Sequence, residues 1–234
     1  MRTAVGGGRF RVERRLGNGG MASVWLAEDE LLQRKVAIKV LADASARDTV
    51  EIARFRREAR LTCGLSHPGL VAGYEWGDDP RPYLAMEYVD GPSLGQVFHR
   101  PEGFRGNALA LARELLAALA WLHDRRIIHG DVAPGNVLIA SDDSVRLSDL
   151  GIAQPLGAAC LVPAGRVVGT LAYMAPEVRR GESIWAGSDL YGAGRVIRDC
   201  ARRTNASMLA LVDALTAPDP RDRLASAHDA LSLL

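Results

Sequence analysis

The chain has 234 residues, of which 48% are hydrophobic and 24% charged, and 29 basic and 28 acidic side chains give it a formal net charge of +1. This composition is typical of a globular protein, argues against disorder over most of the length, and provides no global field that would attract nucleic acid or an anionic membrane. The first residues are not apolar, and no run reaches the ~18–20 apolar residues of a membrane span. The cysteines at 63, 160 and 200 are too scattered for a disulfide framework. We therefore expect a cytoplasmic protein without signal peptide or anchor.

The first third of the chain consists of short apolar runs that are typical of strands. The predicted strands lie near Phe10–Val12, Ser23–Ala27, Lys35–Leu41, 70–76 and 82–88. One helix is predicted at 48–63, where apolar side chains recur on one face and arginine and glutamate on the other. A Gly-Pro break at 91–92 predicts a boundary between a β-rich N-lobe at 9–89 and a C-lobe at 90–234, both within a single domain.

After this break the patterning becomes helical. An Ala/Leu-rich segment at 107–124 predicts a helix with Asn107 as its N-cap. Further helices are predicted near 188–203, 205–216 and 225–233, and short apolar runs lie at 126–129, 136–140 and 144–148.

Two features of the N-lobe suggest nucleotide binding, but neither is specific by itself. The run Gly17-Asn18-Gly19-Gly20 lies between two strands and predicts either a loop that approaches a phosphate closely or an ordinary hairpin turn. Lys39 ends the run Val-Ala-Ile-Lys within a predicted strand. Its ammonium predicts either a phosphate contact, with Glu58 of the next helix as a partner, or a surface lysine on an edge strand.

The specific signal is an ordered set of polar residues in the C-lobe. His-Gly-Asp-Val-Ala-Pro-Gly-Asn occupies 129–136, Asp-Leu-Gly follows at 149–151, and Gly-Thr-Leu-Ala-Tyr-Met-Ala-Pro-Glu occupies 169–177. An aspartate beside a hydroxyl orients it for attack on phosphorus, and one amide with one carboxylate is a suitable ligand set for Mg²⁺. Each residue alone predicts only a turn or a helix cap. The ordered set predicts phosphoryl transfer.

In this order, the motifs resemble those of the protein kinase family, specifically the bacterial Ser/Thr kinases of the eukaryotic-like type. The resemblance extends from about Phe10 to Leu234. It implies an α+β, bilobal fold with a five-stranded antiparallel sheet and one helix in the N-lobe and a mostly helical C-lobe. It also implies ATP and Mg²⁺ as cofactors and a Ser or Thr hydroxyl of a protein substrate as the acceptor.

The resemblance also assigns site residues. Asp131 is the catalytic base, Lys39 contacts the α- and β-phosphates and pairs with Glu58, and Asn136 and Asp149 bind Mg²⁺. The residues implied to bind the nucleotide are Leu16, Gly17, Asn18, Gly19, Gly20, Val24, Ala37, Lys39, Met86, Glu87, Val89 and Leu138.

Three structural residues of the C-lobe follow from the same resemblance. Glu177 is expected to pair with Arg223 and to tie the activation segment to the last helices. Asp189 is expected to hold the catalytic loop from its own helix.

The first departure from the family concerns regulation. Gly130 stands where the family usually has the arginine that binds a phosphate on the activation loop, and residues 150–169 contain no Ser, Thr or Tyr. Because receptor and phosphosite are absent together, we expect an activity that does not depend on activation-loop phosphorylation.

Further departures concern catalysis, docking and helix position. Ala133 replaces the lysine that neutralises charge on the transferred phosphoryl group; Arg166 is a candidate substitute.

The segment after the Asp189 helix lacks the family's docking helix. The positions of the apolar regulatory spine are Thr62, Gly73, His129 and Leu150, and the first two are poor apolar fillers, which predicts that helix 48–63 is loosely held without a partner.

These observations favour a non-specific serine/threonine protein kinase, with a regulatory protein partner, another gene product or the expression level as the source of its input. One alternative is a pseudokinase that binds nucleotide and acts as a scaffold, suggested by Ala133 and Gly130. Another is an atypical kinase with a non-protein substrate, which the 169–177 segment argues against.

Overall fold

The computed structural model describes residues 4–19, 21–150, 154–155, 171–201 and 206–234 of the chain. It divides into two compact units. The first is formed by Met1–His67 with Val71–Val89, and the second by Pro68–Leu70 with Asp90–Leu234.

The first unit contains a six-stranded antiparallel sheet. Its strands are β1 (Ala4–Val5), β2 (Phe10–Asn18), β3 (Ala22–Asp29), β4 (Arg34–Leu41), β5 (Gly73–Gly77) and β6 (Tyr83–Glu87). The spatial order is β1-β2-β3-β4-β6-β5. The prediction of five strands was therefore wrong by one. The additional strand forms because three successive glycines, at 6–8, take positive φ angles of 62°, 63° and 97° and let Ala4–Val5 fold back onto β2.

Side chains alternate across this sheet and form two apolar clusters. On one face Val36, Ile38 and Val40 of β4 pack with Phe10 and Tyr83, whose rings meet edge to face at 5.9 Å. On the other face Leu41 and Leu84 pack against the unit's helix, α1 (Thr49–Gly64).

Helix α1 begins where the sequence predicts. The Asp48 side chain accepts hydrogen bonds from the backbone N–H groups of Val50 and Glu51 and so caps the first turn. Phe55 and Ala59 turn inward, at 5% and 0% exposure, because they recur at the helical spacing of four residues. The helix therefore presents one face, which also carries Glu58, to the sheet.

The second unit is mainly helical. Its helices are α2 (Leu94–Phe98), α3 (Ala108–Asp124), α4 (Pro176–Arg179), α5 (Ala186–Cys200), α6 (Ala206–Leu215) and α7 (Ala227–Ser232). Its short strands pair as β8 (Val137–Ile139) with β9 (Val145–Leu147) and β7 (Ile127–Ile128) with β10 (Gln154–Pro155).

Helix α3 is central to the second unit. Leu115, Leu116 and Leu119 are fully buried, and the helix packs against α5, α7 and β9. Asn107 caps its first turn through the N–H groups of Leu109 and Ala110, which confirms the predicted start. Because α3 supports β9 and the segment after β7, it positions the polar loop at 129–136.

Several predicted boundaries were wrong by a few residues. The predicted strand at 70–76 begins only at Gly73, and Leu70 instead bridges Leu147. Helix α5 begins at Ala186 and ends at Cys200, and 202–205 lie outside the described residues. Along the described part of the chain, no helix is both long enough and apolar enough to cross a bilayer.

Candidate active site

The first unit forms an ion pair between strand β4 and helix α1. Lys39 Nζ lies 2.5 Å from Glu58 Oε1, and the side chains are only 13% and 8% exposed. Lys39 lies on the face of β4 that meets α1, because its neighbours Ile38 and Val40 point into the opposite core. The predicted contact between Lys39 and Glu58 is therefore present.

The glycine-rich segment connects β2 to β3. Gly17 pairs with Val24 and Asn18 pairs with Ser23, whose hydroxyl donates to Asn18 Oδ1 at 2.9 Å. The N–H of Gly19 donates to the carbonyl of Ala22 at 2.9 Å. These bonds fix the turn at its base, while Gly20 lies outside the described residues.

The other predicted nucleotide residues of the first unit lie on neighbouring strands. Ala37 of β4 is paired with Met86 of β6, and Glu87 is paired with Val36. The Glu87 carboxylate also accepts a hydrogen bond of 3.2 Å from the N–H of Ala72. Leu16 lies in β2 and Val89 ends the unit, whereas Leu138 belongs to the second unit, on β8.

In the second unit, the loop after β7 brings Asp131 and Asn136 together. Asn136 Nδ2 donates to the Asp131 carbonyl at 2.9 Å and to Asp131 Oδ2 at 3.0 Å, across the 3₁₀ turn Pro134–Asn136. His129 is buried; its Nδ1 accepts from the N–H of Asp131 at 3.2 Å, and its Nε2 donates to the Ser148 carbonyl at 3.1 Å.

Asp189 of α5 holds this loop by its backbone. Its carboxylate accepts from the N–H groups of His129 and Gly130, each at 2.8 Å, which confirms the predicted role. Sequence reasoning missed a third donor, His123 at the end of α3, whose Nε2 lies 2.9 Å from Asp189 Oδ2. The only sequence signal for this contact is a histidine at the end of an Ala/Leu-rich helix.

The surroundings of Asp131 increase its basicity. Burial raises the pKa of this carboxyl, and the nearby carboxylates of Asp149 and Asp189 act in the same direction, against His129 and the hydrogen bond from Asn136. A carboxylate with a raised pKa is a better general base near neutral pH.

Asp149 lies after β9, and the residue before it, Ser148, is bonded to the same loop. Ser148 donates from its N–H at 2.8 Å and from its Oγ at 3.1 Å to the carbonyl of Asn136. Asp149 has a φ of 66°, a left-handed conformation that is uncommon for residues other than glycine and that aspartate adopts more readily than most.

The ligand chemistry of this loop fits a divalent cation. Because Asn136 donates its amide nitrogen to Asp131, its carbonyl oxygen is the atom left to bind a metal, and Asp149 adds a carboxylate. Mg²⁺ typically takes one or two protein oxygens and completes its shell with phosphate and water. Asn136 and Asp149 would therefore hold the ion, which would supply charge neutralisation on the phosphates.

A buried ion pair connects α4 with the segment before α7. Arg223 Nη1 and Nη2 lie 2.6 and 2.8 Å from the two carboxylate oxygens of Glu177, and both side chains are 2% exposed or less. Trp185 Nε1 and Ser188 Oγ also donate to Glu177, each at 3.1 Å. The predicted pairing is confirmed; the two additional donors were not predicted.

The predictions for the activation segment cannot be placed. Gly151, Cys160, Arg166 and Thr170 all lie outside the described residues. The segment resumes at Leu171, and Tyr173 donates to the Asp199 carboxylate at 2.5 Å.

Solved structures of a bacterial kinase domain have the same fold. The kinase domain of Mycobacterium tuberculosis PknI gives a TM-score of 0.75 at 26% sequence identity, over 100% of this chain and 98% of that chain. A double mutant of the same domain gives the same TM-score over 98% of this chain. The fold is therefore the bilobal protein kinase fold, as predicted.

The sequence identifies the family directly. Residues 10–208 match the family described as Protein kinase domain. This chain belongs to the protein kinase domain family.

Curated bacterial relatives are similar over the same region. A probable serine/threonine-protein kinase of Streptomyces coelicolor is 40% identical over 200 residues, which is 80% of this chain and 29% of the relative. The serine/threonine-protein kinase PknB of Mycobacterium tuberculosis is 39% identical over 197 residues, and PrkC of Bacillus subtilis 38%; each match covers 81% of this chain. The chain spans only 29–32% of the length of these relatives.

Proposed function

We propose that this chain is an ATP-dependent serine/threonine protein kinase that transfers the γ-phosphoryl group to a hydroxyl of a protein substrate. The observation that carries the proposal is the assembled loop in which Asp131, Asn136 and the Asp149 segment are joined by hydrogen bonds. The names of the relatives support the choice of a Ser or Thr acceptor.

Asp131 is proposed to orient the acceptor hydroxyl and to accept its proton. Its raised pKa suits this role, and the hydrogen bond from Asn136 fixes the direction of the carboxylate. The His129 imidazole and the Asp189 carboxylate hold the loop backbone, so the base is positioned before substrate binds.

Lys39 is proposed to bind the α- and β-phosphates as a positively charged donor. Glu58 holds its ammonium in place from α1. The glycine-rich turn, with backbone N–H groups and without bulky side chains, is proposed to cover the phosphates, while the Ala37–Met86 pair contacts the adenine.

The whole chain is proposed to act as one kinase domain, with an N-lobe at 9–89 and a C-lobe at 90–234. We further propose that its activity does not require phosphorylation of the activation loop, because the loop sequence 150–169 has no acceptor hydroxyl and Gly130 offers no side chain to bind a phosphate. A regulatory protein partner is the proposed source of input.

The decisive experiment measures transfer of labelled γ-phosphate from Mg-ATP to a mixed protein substrate. Asp131→Asn should lower the rate by at least about 10²-fold, since the base is lost, while leaving nucleotide affinity unchanged. Asp213→Asn, at an exposed carboxylate in an ion pair of 3.4 Å, is the matched control and should retain full activity. Wild-type activity in Asp131→Asn would contradict the assignment of the base.

The second candidate is a pseudokinase that binds nucleotide without transfer. It is favoured by Ala133, which is only 3% exposed and places no charge where the family has a lysine. Mg-ATP binding by the wild-type protein, together with transfer no faster than that of Asp131→Asn, would establish this alternative.

A further inference from the structure

Gly73, the first residue of β5, lies directly against the backbone of the last turn of α1. A Cβ atom at this position would lie 2.7 Å from the Cys63 nitrogen and from the Thr62 carbonyl carbon, and 2.8 Å from the Thr62 oxygen. Because these are backbone atoms, no side-chain rotation can relieve the overlap. Only a hydrogen atom fits between β5 and α1 at this point.

This contact lies one helical turn from the Lys39–Glu58 ion pair. Thr62 is buried, and its hydroxyl donates to the Glu58 carbonyl at 2.9 Å. The turn that touches Gly73 is therefore bonded to the residue that reaches Lys39. The depth at which the end of α1 packs onto the sheet determines where the Glu58 carboxylate lies.

Several other contacts of α1 are made through side chains. Phe55 and Ala59 pack in the apolar cluster of the sheet, and the Arg60 guanidinium lies 5.5 Å from the centre of the Trp76 ring. On the surface, Arg56 pairs with Asp78 at 3.0 Å. Side chains of this kind can change rotamer and tolerate small shifts of the helix, whereas the backbone contact at Gly73 cannot.

We propose that Gly73 is a positioning residue: the absence of a side chain there allows α1 to pack deeply enough for Glu58 to hold Lys39 without a bound partner. The inference rests on the proposed function only in taking Lys39 as the phosphate-binding residue. It reverses the expectation from sequence, which treats Gly73 as a missing apolar filler that leaves the helix loose.

The two explanations predict opposite effects of a larger side chain. If Gly73 is a missing filler, Gly73→Leu should hold α1 better and raise phosphoryl transfer. If Gly73 allows close packing, Gly73→Ala already forces α1 outward, and Gly73→Leu does so further. A displacement on the order of 1 Å costs about 10²-fold in rate when it misplaces a site residue, so we expect Gly73→Ala to lower transfer by roughly 10–100-fold.

The ion pair can be measured without any assay of transfer. The chain contains only two lysines, the exposed Lys35 and the ion-paired Lys39, which is 13% exposed. Brief treatment of the folded protein with acetic anhydride, followed by peptide mass spectrometry, gives the acetylation of Lys39 relative to Lys35 in the same molecules. We expect this ratio to be low in the wild type and to rise at least about threefold in Gly73→Ala, because acetic anhydride reacts with an accessible, unprotonated amine and an amino group no longer held by Glu58 is more accessible to the reagent.

Gly64→Ala is the matched control. Gly64 ends the same helix, but a Cβ there would meet no atom within 4 Å apart from its chain neighbours and the backbone of its own helix, so both the acetylation ratio and the transfer rate should stay at wild-type values. A purely structural role of Gly73 would lower the folded fraction without changing the Lys39 to Lys35 ratio of the molecules that remain folded.

The outcomes separate this proposal from the proposed function. A raised acetylation ratio in Gly73→Ala supports the positioning role, whether or not the wild-type protein transfers phosphate. A wild-type protein that transfers no phosphate would count against the kinase proposal only. An unchanged ratio, or faster transfer in Gly73→Leu, would overturn the positioning role. If Gly73→Ala does not fold, amide exchange of the wild type decides: protection of 49–64 equal to that of β4 supports the proposal, and rapid exchange overturns it.

Discussion

Two residues near the proposed catalytic base have left-handed backbone conformations. The steric cost of this conformation differs between them, because one is a glycine and the other has a side chain. Gly130 has a φ of 83° and Asp149 a φ of 66°. Glycine adopts this conformation without steric cost, whereas a residue with a Cβ typically loses about 1–3 kcal/mol. The strain at Asp149 is compatible with its role as a proposed metal ligand. At position 130, glycine adopts the left-handed conformation without strain. It also lacks the side chain that would bind a phosphate on the activation loop.

The residue-scale prediction concerns activation-loop phosphorylation. Treatment of the purified protein with a phosphatase should leave its transfer rate unchanged, because 150–169 has no hydroxyl acceptor and position 130 has no cation to bind one. Gly130→Arg should not raise the rate, and it should lower the free energy of unfolding by about 1–2 kcal/mol through the left-handed backbone.

The control for this substitution is Gly181→Arg. Gly181 has a φ of 84°, and a Cβ added there would have no atom within 4 Å, so this variant should show the same loss of stability without an effect on transfer per folded molecule. A large loss of activity after phosphatase treatment, or activation by Gly130→Arg, would contradict the prediction.

At the scale of elements, local sequence signals predicted the long helices well and the short elements poorly. Helices α1 and α3 each have a polar N-cap, Asp48 and Asn107, and a sustained apolar face, so type and start were both predictable. Helix α2 has only five residues, although Ser93 and Gln96 form a capping box at its start. A capping signal followed by so short an apolar run does not distinguish a helix from a turn.

The close contact at Gly73 could not be predicted from the sequence around this residue. The atoms that exclude a side chain belong to the backbone of Thr62 and Cys63, about ten residues earlier, and backbone leaves no trace in side-chain patterning. The sequence shows only a glycine near the start of a strand.

The element-scale prediction concerns the Glu177–Arg223 ion pair between α4 and the segment before α7. Burial alone would raise the pKa of Glu177, but the hydrogen bonds from Arg223 and Trp185 lower it overall. Stability from this carboxylate is therefore complete above its unfolded pKa, about 4.3, and is lost as the pH falls through the lower pKa of the folded state. Glu177→Gln should lower the free energy of unfolding by about 3–5 kcal/mol at pH 7, because Arg223 is left buried and unpaired.

Urea unfolding at pH 7 and at pH 3 tests this prediction. The difference between wild type and Glu177→Gln should shrink at the lower pH, because below its ordinary pKa the wild-type carboxyl binds a proton in the unfolded state, which stabilises the unfolded state relative to the folded one. Glu182→Gln removes an exposed ion pair with Arg180, of which both side chains are more than half exposed, and should change stability by less than about 1 kcal/mol. An equal effect of the two substitutions would show that burial of the pair has no energetic consequence.

At the scale of the whole molecule, the proposed site residues are divided between two compact units. The ion pair of Lys39 with Glu58 belongs to the first unit, and the loop of Asp131, Asn136 and Asp149 belongs to the second. In the sequence, the boundary near 89–92 is predicted by the Gly91-Pro92 break, and each motif is assigned to one side of it because each motif is local in sequence. The hydrogen bonds that orient the side chains within each unit, such as His123 to Asp189, required the three-dimensional structure.

The last prediction uses ligand binding to test both sets of residues without relying on catalysis. A ligand that binds only the folded state stabilises it, and Mg-ATP at a hundred times its Kd should add about 2.7 kcal/mol and raise Tm by roughly 5–10 °C. Asp131→Asn should keep this shift, because Asp131 is proposed to act on the acceptor hydroxyl. In the wild type, EDTA removes the metal and so abolishes the metal-dependent part of the Tm shift. Asp149→Asn should lack this metal-dependent part, and Lys39→Met should lack most of the part that EDTA leaves. If Asp149→Asn responds to EDTA as the wild type does, the metal is held by other residues, and the proposed division of labour in the second unit is wrong.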